Sequence, residues 1–187
     1  MQATQKNPSP VRKLVYAAVC LALALVLPFL TGQIPQIGSA LCPMHLPVLL
    51  CGFLCGWPWA LAVGVVAPLL RLALFSMPPL WTAIPMAFEL ATYGAVAGLL
   101  YSCLPRRTGN IYVSLVSAML AGRVVWGVVK FVLSGLQNTE FPFSAFVAGA
   151  FTTAIPGIIV QLVLIPLLVL GLDRAGMTAN VPRAVRA

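Results

Sequence analysis

Arg71 and Glu89 are the residues whose chemistry stands out first, because they are two of the few charged residues in an otherwise apolar chain. They flank a Met77-Pro78-Pro79 break. Two apolar segments that meet at this break would place the guanidinium and the carboxylate at similar depth on neighbouring helices. Ionisable groups near the centre of a membrane helix cost at least about 2.5 kcal/mol, and they usually line a cavity or pair with one another. We therefore predict a binding site around these side chains.

Other polar side chains fall in the same half of the predicted bundle. Arg123 and Lys130 are seven residues apart, so both point to the same side of one helix. The predicted substrate-binding set is Arg71, Glu89, Arg123, Trp126, Lys130, Asn138 and Glu140. Two carboxylates and three bases match a ligand with an anionic or strongly polar end. In the alternative interpretation, Arg71 pairs with Glu89 while Arg123 or Lys130 snorkels outward.

The amino-acid composition indicates the class of protein to which these residues belong. The chain has 187 residues, of which 61% are hydrophobic and 7% charged, whereas about 25% of the residues of a soluble domain are charged. It divides into six apolar stretches, and a membrane helix needs about 20 such residues. We predict an all-α integral membrane protein, a compact bundle of six transmembrane helices. A single domain would span residues 1–187, with tails at about 1–13 and 173–187 and the bundle at about 14–172.

The basic residues that give the net charge of +8 predict how the bundle is oriented in the membrane. Their positions do not indicate a nucleic-acid partner. Basic residues cluster before the first span, between the fourth and fifth, and after the last: Lys6, Arg12, Lys13, Arg106, Arg107, Arg174, Arg183 and Arg186. With an even number of spans these sites share one face, and the positive-inside rule makes that face, with both termini, cytoplasmic. The first apolar run is long for a signal peptide, so we expect it to be a retained helix.

The motifs of an enzyme or of a self-sufficient pump are missing from the sequence. The single His has no patterned nucleophile, base or metal set around it, and neither catalysis nor a cofactor is expected. Walker motifs are also missing, so partners must supply any ATP-driven work. No inverted repeat is visible, which argues against a repeat-type secondary transporter. A binding subunit that depends on an external motor fits best.

Ala18 and Ala22 form a small-residue ridge on the first predicted helix, because residues four apart share a face. Small residues let another backbone approach closely, which is a main source of helix association in lipid. The ridge could pack within the bundle or contact another subunit.

The chain resembles the substrate-binding S components of energy-coupling factor (ECF) vitamin transporters, in the group that includes riboflavin, pantothenate and folate binders. The similarity covers a basic N-terminus, the alanine-ridged first helix, the block LPVLLCGFLCG at Leu46–Gly56, and Gly64 before Pro68-Leu69-Leu70-Arg71. It implies a vitamin-like ligand in a pocket near the outer surface. It also implies a multi-pass location in the cytoplasmic membrane of a prokaryote.

The same resemblance implies the partners. They would be a membrane coupling subunit, contacted through Ala18 and Ala22, and two cytoplasmic ATPases. The binding subunit would tilt in the membrane to deliver its ligand.

Two other functions stay open. A non-transporting membrane scaffold or assembly protein would use the charges only for internal pairing. Met44-His45-Leu46-Pro47 resembles the amino-terminal Met-His signature of nickel and cobalt S components, although Met44 is internal and offers no free amine. Transition-metal uptake is therefore the lesser alternative.

Overall fold

The computed structural model describes residues 9–30, 41–105, 107–139 and 142–175, and every element within these ranges is helical. The elements are α1 (Pro10–Leu30), α2 (His45–Cys55), α3 (Trp57–Phe75), α4 (Leu80–Cys103), α5 (Thr108–Leu136), α6 (Phe143–Val147), a π-helical turn (Ala148–Thr152) and α7 (Ile155–Arg174). Glu140 and the basic residues Lys6, Arg106, Arg183 and Arg186 lie outside the described ranges. The prediction of an all-helical protein is confirmed.

Among the described residues, five helices are long and apolar enough to cross a membrane: α1, α3, α4, α5 and α7. The exception among the predicted spans is α2, which has 11 residues. At 1.5 Å per residue it is about 16 Å long, roughly half the hydrocarbon thickness. Nine of its residues are buried, so α2 is packed among the other helices.

The breaks around α3 fall at residues whose backbone conformation interrupts a helix. Gly56 separates α2 from α3 with a φ of 91°, a conformation that glycine adopts without steric cost. At the other end of α3, Ser76 adopts a left-handed conformation, and Pro79 precedes the first residue of α4. The predicted Met77-Pro78-Pro79 break therefore separates α3 from α4.

Glycines bring the backbones of α3 and α4 together. A Cβ on Gly64 would lie 2.6 Å from the backbone of Leu90, and one on Gly94 would lie 2.8 Å from Ala60 Cβ. Gly52 of α2 is similarly close to α4, since a Cβ on it would lie 2.9 Å from the Gly94 carbonyl oxygen. Close small-residue contacts of this kind stabilise helix pairs in lipid. They fix the position of α4, the helix that carries Glu89.

The first helix packs against α2 and α3 through one narrow face, formed by Ala17, Cys20, Ala24 and Pro28. Ala18 and Ala22 lie on the other side and are exposed. The alanine ridge therefore does not pack within the described bundle.

We predict that Gly64→Ala lowers the stability of the bundle. The new Cβ would clash with the Leu90 backbone, which cannot move aside as a flexible side chain can, so α3 and α4 must separate. Overpacking of this kind typically costs 1–3 kcal/mol. Thermal unfolding of the purified protein would measure the loss.

The matched control is Gly109→Ala in α5, where a Cβ meets nothing within 4 Å. Its unfolding temperature should be unchanged or slightly raised, because alanine favours a helix over glycine. Equal stability of the two variants would contradict the close packing of α3 on α4.

Candidate functional site

Three polar side chains from three helices meet in the interior of the bundle. Arg123 Nη1 lies 3.0 Å from Glu89 Oε1, and His45 Nε2 lies 3.3 Å from the same oxygen. All three residues are buried. We call them, together with Cys42 and Tyr93, the central polar cluster.

The helices explain why these residues meet. Glu89 is the tenth of the 24 residues of α4, and Arg123 is the sixteenth of the 29 residues of α5, so both lie well inside their helices. His45 is the first residue of the short α2. A helix of this length can begin inside the bundle, which brings the imidazole to the ion pair.

Tyr93 and Cys42 complete the cluster. Tyr93 follows Glu89 by one helical turn, and its ring makes an edge contact with His45 at a centroid distance of 4.9 Å. The ring lies against Gly122, where a Cβ would clash with it. Arg123 Nη2 donates to Cys42 Sγ at 3.5 Å. The positions of the Tyr93 ring and the Arg123 guanidinium are thus fixed from several sides.

Several polar atoms of the cluster are buried without a well-aligned hydrogen bond to any described residue. They are the Tyr93 hydroxyl, Arg123 Nε and both His45 nitrogens. The Tyr93 hydroxyl lies beside the Arg123 guanidinium, and Glu89 Oε1 is within ion-pair distance of its partners, but neither contact has good hydrogen-bond geometry. An unsatisfied buried polar group costs about 1–3 kcal/mol. The cluster therefore has bonding capacity that a small polar ligand could use.

Arg71 lies elsewhere, at the contact between α3 and α1. Its Nη1 donates to the Leu25 carbonyl oxygen at 2.7 Å, and the guanidinium lies 5.0 Å from the ring centre of Phe29 and 5.6 Å from that of Phe75. A carbonyl acceptor and two aromatic faces satisfy this buried cation. Glu89 instead pairs with Arg123, so the suggested Arg71–Glu89 pair is wrong.

Helix geometry explains why Arg71 and Glu89 do not pair. Arg71 is four residues from the end of α3, about 6 Å along its axis, whereas Glu89 is nine residues from the start of α4, about 14 Å. The two charges flank the same break but lie at different depths.

The remaining predicted site residues follow Arg123 along α5 and beyond. The Trp126 ring stacks on Phe146 of α6 with centroids 6.3 Å apart, and Phe146 also fits against Gly127, where a Cβ would clash with it. Lys130 is half-buried and Asn138 is exposed. Of the predicted set, the structure brings together Glu89 and Arg123, with Trp126 one turn away.

Tyr93 and Cys42 are not in the predicted set, and His45 was considered only as part of a motif that resembles a metal-uptake signature. Tyr93 had a usable signal, because the Glu89-to-Tyr93 spacing places both on one face of the predicted helix. His45 and Cys42 had none, since their position depends on where α2 begins. Among the described residues, no group of three or more His, Cys, Asp or Glu side chains could hold a metal ion.

A cavity of about 190 Å³ adjoins the cluster between α4, α5 and α7. We call it the side groove. It is partly open, and its lining consists of Tyr93, Val116, Met119, Leu120, Arg123, Ile158 and Leu162. The accessible walls of the groove are entirely apolar, so Tyr93 and Arg123 line it with carbon atoms.

A protein-family model described as the substrate-specific component of ECF transporters matches residues 12–169. Neither the curated proteins nor the solved structures contain a significant match to the chain. The matching family consists of transporter subunits and is not an enzyme family. The exposed apolar helices and the buried polar cluster fit a membrane-embedded binding subunit, and the chain belongs to the family of ECF transporter substrate-specific components.

Proposed function

We propose that this chain binds a vitamin-like small molecule at the central polar cluster and delivers it as the specificity subunit of an ECF-type importer. The observation that carries the proposal is a set of buried polar atoms around the Glu89 carboxylate, on His45, Tyr93 and Arg123, that make no well-aligned hydrogen bond to a described residue. Buried polar groups are normally hydrogen-bonded within a folded protein. A ligand that supplies the missing partners would account for this cluster.

The proposed arrangement in the membrane has six crossings, with the short α2 as the second, and forms one domain. Four basic residues support cytoplasmic termini: Arg12 and Lys13 at the start of α1, Arg107 between α4 and α5, and Arg174 at the end of α7. With six crossings these residues share one face, which the positive-inside rule makes cytoplasmic. The membrane would be the cytoplasmic membrane of a prokaryote.

The proposed partners are a membrane coupling subunit and two cytoplasmic ATPases. The exposed Ala18 and Ala22 support the coupling-subunit contact, because small residues on an exposed helix face let a second helix approach closely. Delivery of the ligand would then depend on ATP hydrolysis by the partner subunits.

Within the ligand site we assign the central roles to Glu89 and Arg123, supported by His45 and Tyr93. Ligand contacts by Arg71, Trp126, Lys130, Asn138 and Glu140 stay predictions. The contacts of Arg71 with Leu25, Phe29 and Phe75 support a second role for that residue, which is to hold α1 on α3.

A non-transporting scaffold is the second candidate, and the Glu89–Arg123 ion pair favours it, because internal pairing is what a scaffold would require. Thermal-shift measurements with vitamins, nucleobase-like compounds and transition metals separate the two. A ligand that binds only the folded state adds about 2.7 kcal/mol at 100 times its Kd. The scaffold predicts no such stabilisation.

We predict that the isolated chain binds its ligand but does not concentrate it. Liposomes that contain the chain, the coupling subunit and both ATPases should accumulate the stabilising compound when ATP is present. Liposomes that contain only this chain should not, because the sequence has no Walker motif. Robust concentrative uptake by the chain alone would contradict the motor-dependent function.

We predict that Arg123→Gln destabilises the bundle and abolishes ligand binding. Glu89 would lose its guanidinium partner while it stays buried, and breaking a buried pair in this way costs about 3–5 kcal/mol. Thermal unfolding and ligand-induced shifts would report both effects.

The double variant Arg123→Gln with Glu89→Gln is the control, because it removes both charges and keeps side chains that can form hydrogen bonds. Stability should recover while ligand binding stays lost. If ligand binding recovers together with stability, the charges serve only the fold.

We also predict that Ala18→Trp and Ala22→Trp weaken association with the coupling subunit and leave ligand binding intact. The added bulk prevents close helix approach on an exposed face of α1. Copurification with a complete transporter measures the association. Ala62→Trp on the exposed surface of α3 is the matched control and should copurify as the parent does. Normal copurification of both α1 variants would show that the contact face is elsewhere.

A further inference from the structure

We propose that one end of the bundle binds the phosphate headgroup of an anionic phospholipid, held by Arg12 and Lys13 of α1 and Arg174 of α7. We call these three residues the inner basic site, because the proposed orientation places them at the cytoplasmic side of the membrane. The inference goes beyond the proposed function, since it concerns a lipid that stays bound and not the molecule that is carried.

The end of α2 is the point at which the inner basic site is assembled. Cys55 is the last residue of α2, and its thiol donates to the Lys13 carbonyl oxygen at 3.5 Å, so the start of α1 lies against the end of α2. Leu172, two residues before Arg174, packs against the buried cluster that contains Cys55, and α7 contacts α2. Basic residues from two helices therefore flank the end of α2.

The cationic groups of this site have donors that an anion could use. Arg12 Nε donates to the Tyr16 hydroxyl at 2.7 Å, and the guanidinium lies 5.3 Å from the centre of that ring. These contacts orient the guanidinium, and no described residue accepts a hydrogen bond from its two terminal nitrogens. Within the described ranges the ion pairs lie in the central polar cluster, so neither Lys13 nor Arg174 has a carboxylate partner there. Guanidinium and ammonium groups are the usual side-chain ligands of phosphate.

The formal charge at this end of the bundle also favours an anion. Arg12, Lys13 and Arg174 contribute three positive charges, and Asp173 contributes one negative charge, which leaves a net charge of +2 on these four residues. Asp173 already has an interaction of its own. Basic pockets between membrane helices on the cytoplasmic side bind the headgroups of anionic lipids.

Exposed apolar side chains beside the basic residues match the rest of a phospholipid. Trp57 at the start of α3 is 46% exposed, and Leu14, next to Lys13, is 54% exposed. Tryptophan is enriched where a membrane meets water. A phospholipid would use both the charges and this apolar surface, whereas free phosphate would use only the charges.

The position of Lys13 separates the inner basic site from the alanine ridge. Lys13 precedes Ala17 by one helical turn and Cys20 by two, so it continues the face through which α1 packs on the bundle. Ala18 and Ala22 lie on the exposed side of the same helix. A headgroup bound at Lys13 would therefore leave the proposed coupling contact uncovered.

Three probes test the proposal: phosphatidylglycerol, phosphatidylcholine and inorganic phosphate. Each is titrated against the full-length chain in a neutral detergent, and native mass spectrometry gives the Kd. We expect phosphatidylglycerol to bind at least about tenfold more tightly than phosphatidylcholine, because each basic residue contributes about fivefold, or about 1 kcal/mol. Equal binding of the two lipids would overturn the site. Inorganic phosphate that binds as tightly as phosphatidylglycerol would overturn the assignment to a lipid.

Four variants test the assigned residues. Lys13→Gln and Arg174→Gln should each weaken phosphatidylglycerol binding by about fivefold, whereas Lys13→Arg keeps the charge and should bind as the parent does. Arg107→Gln is the matched control, because Arg107 is an exposed basic residue just before α5 and outside the site. Parental binding by both glutamine variants of the site would overturn the proposal. An equal loss in Arg107→Gln would also overturn it, because the attraction would then be spread over the whole basic face.

Thermal-shift measurements with vitamin-like compounds keep this inference separate from the proposed function. A chain that has no preference for phosphatidylglycerol but is stabilised by such a compound would lose the lipid site and keep the proposed function. A chain that prefers phosphatidylglycerol but is stabilised by none of the compounds would keep the lipid site, and the scaffold would replace the proposed function.

Discussion

The ion pair between Glu89 and Arg123 is the constraint on which the interior of this protein depends. A lone buried carboxylate is costly in an apolar bundle, so α4 must lie where a cation can reach it. That cation comes from α5, at 3.0 Å, and the start of α2 adds an imidazole at 3.3 Å. The relative positions of α2, α4 and α5 are therefore coupled to one electrostatic requirement.

Small residues make this arrangement sterically possible. In lipid the hydrophobic effect does not drive helices together, so packing contacts and polar contacts must do so. Gly64 and Gly94 let α3 and α4 approach to backbone contact, and Gly122 leaves room for the Tyr93 ring beside the ion pair. The glycines let the helices pack closely, and the central polar cluster lies between them.

The first helix contacts the bundle on one side and is exposed on the other. It is attached to the bundle by a narrow inner face and by the Arg71 guanidinium, which donates to the Leu25 carbonyl oxygen. Its alanine ridge at Ala18 and Ala22 is left exposed. The proposed partner contact lies on the exposed face of α1 and the proposed ligand site lies in the interior, so a change in one need not disturb the other.

Composition and periodicity determined much of this protein. Hydrophobic content gave the membrane class, the Pro-rich break at Met77-Pro78-Pro79 marked the end of α3, and the spacing of Ala18 and Ala22 gave a shared face. These features depend on residues close together in the chain, for which helix geometry alone is sufficient.

Tertiary structure decided which charges are partners. The sequence suggested Arg71 for Glu89, whereas the fold supplies Arg123, together with His45 from a helix that begins inside the bundle. The same is true of the side groove, whose walls come from α4, α5 and α7. Periodicity relates residues on one helix, but contacts between helices depend on the depth and rotation of each helix, which are set by how the whole bundle packs.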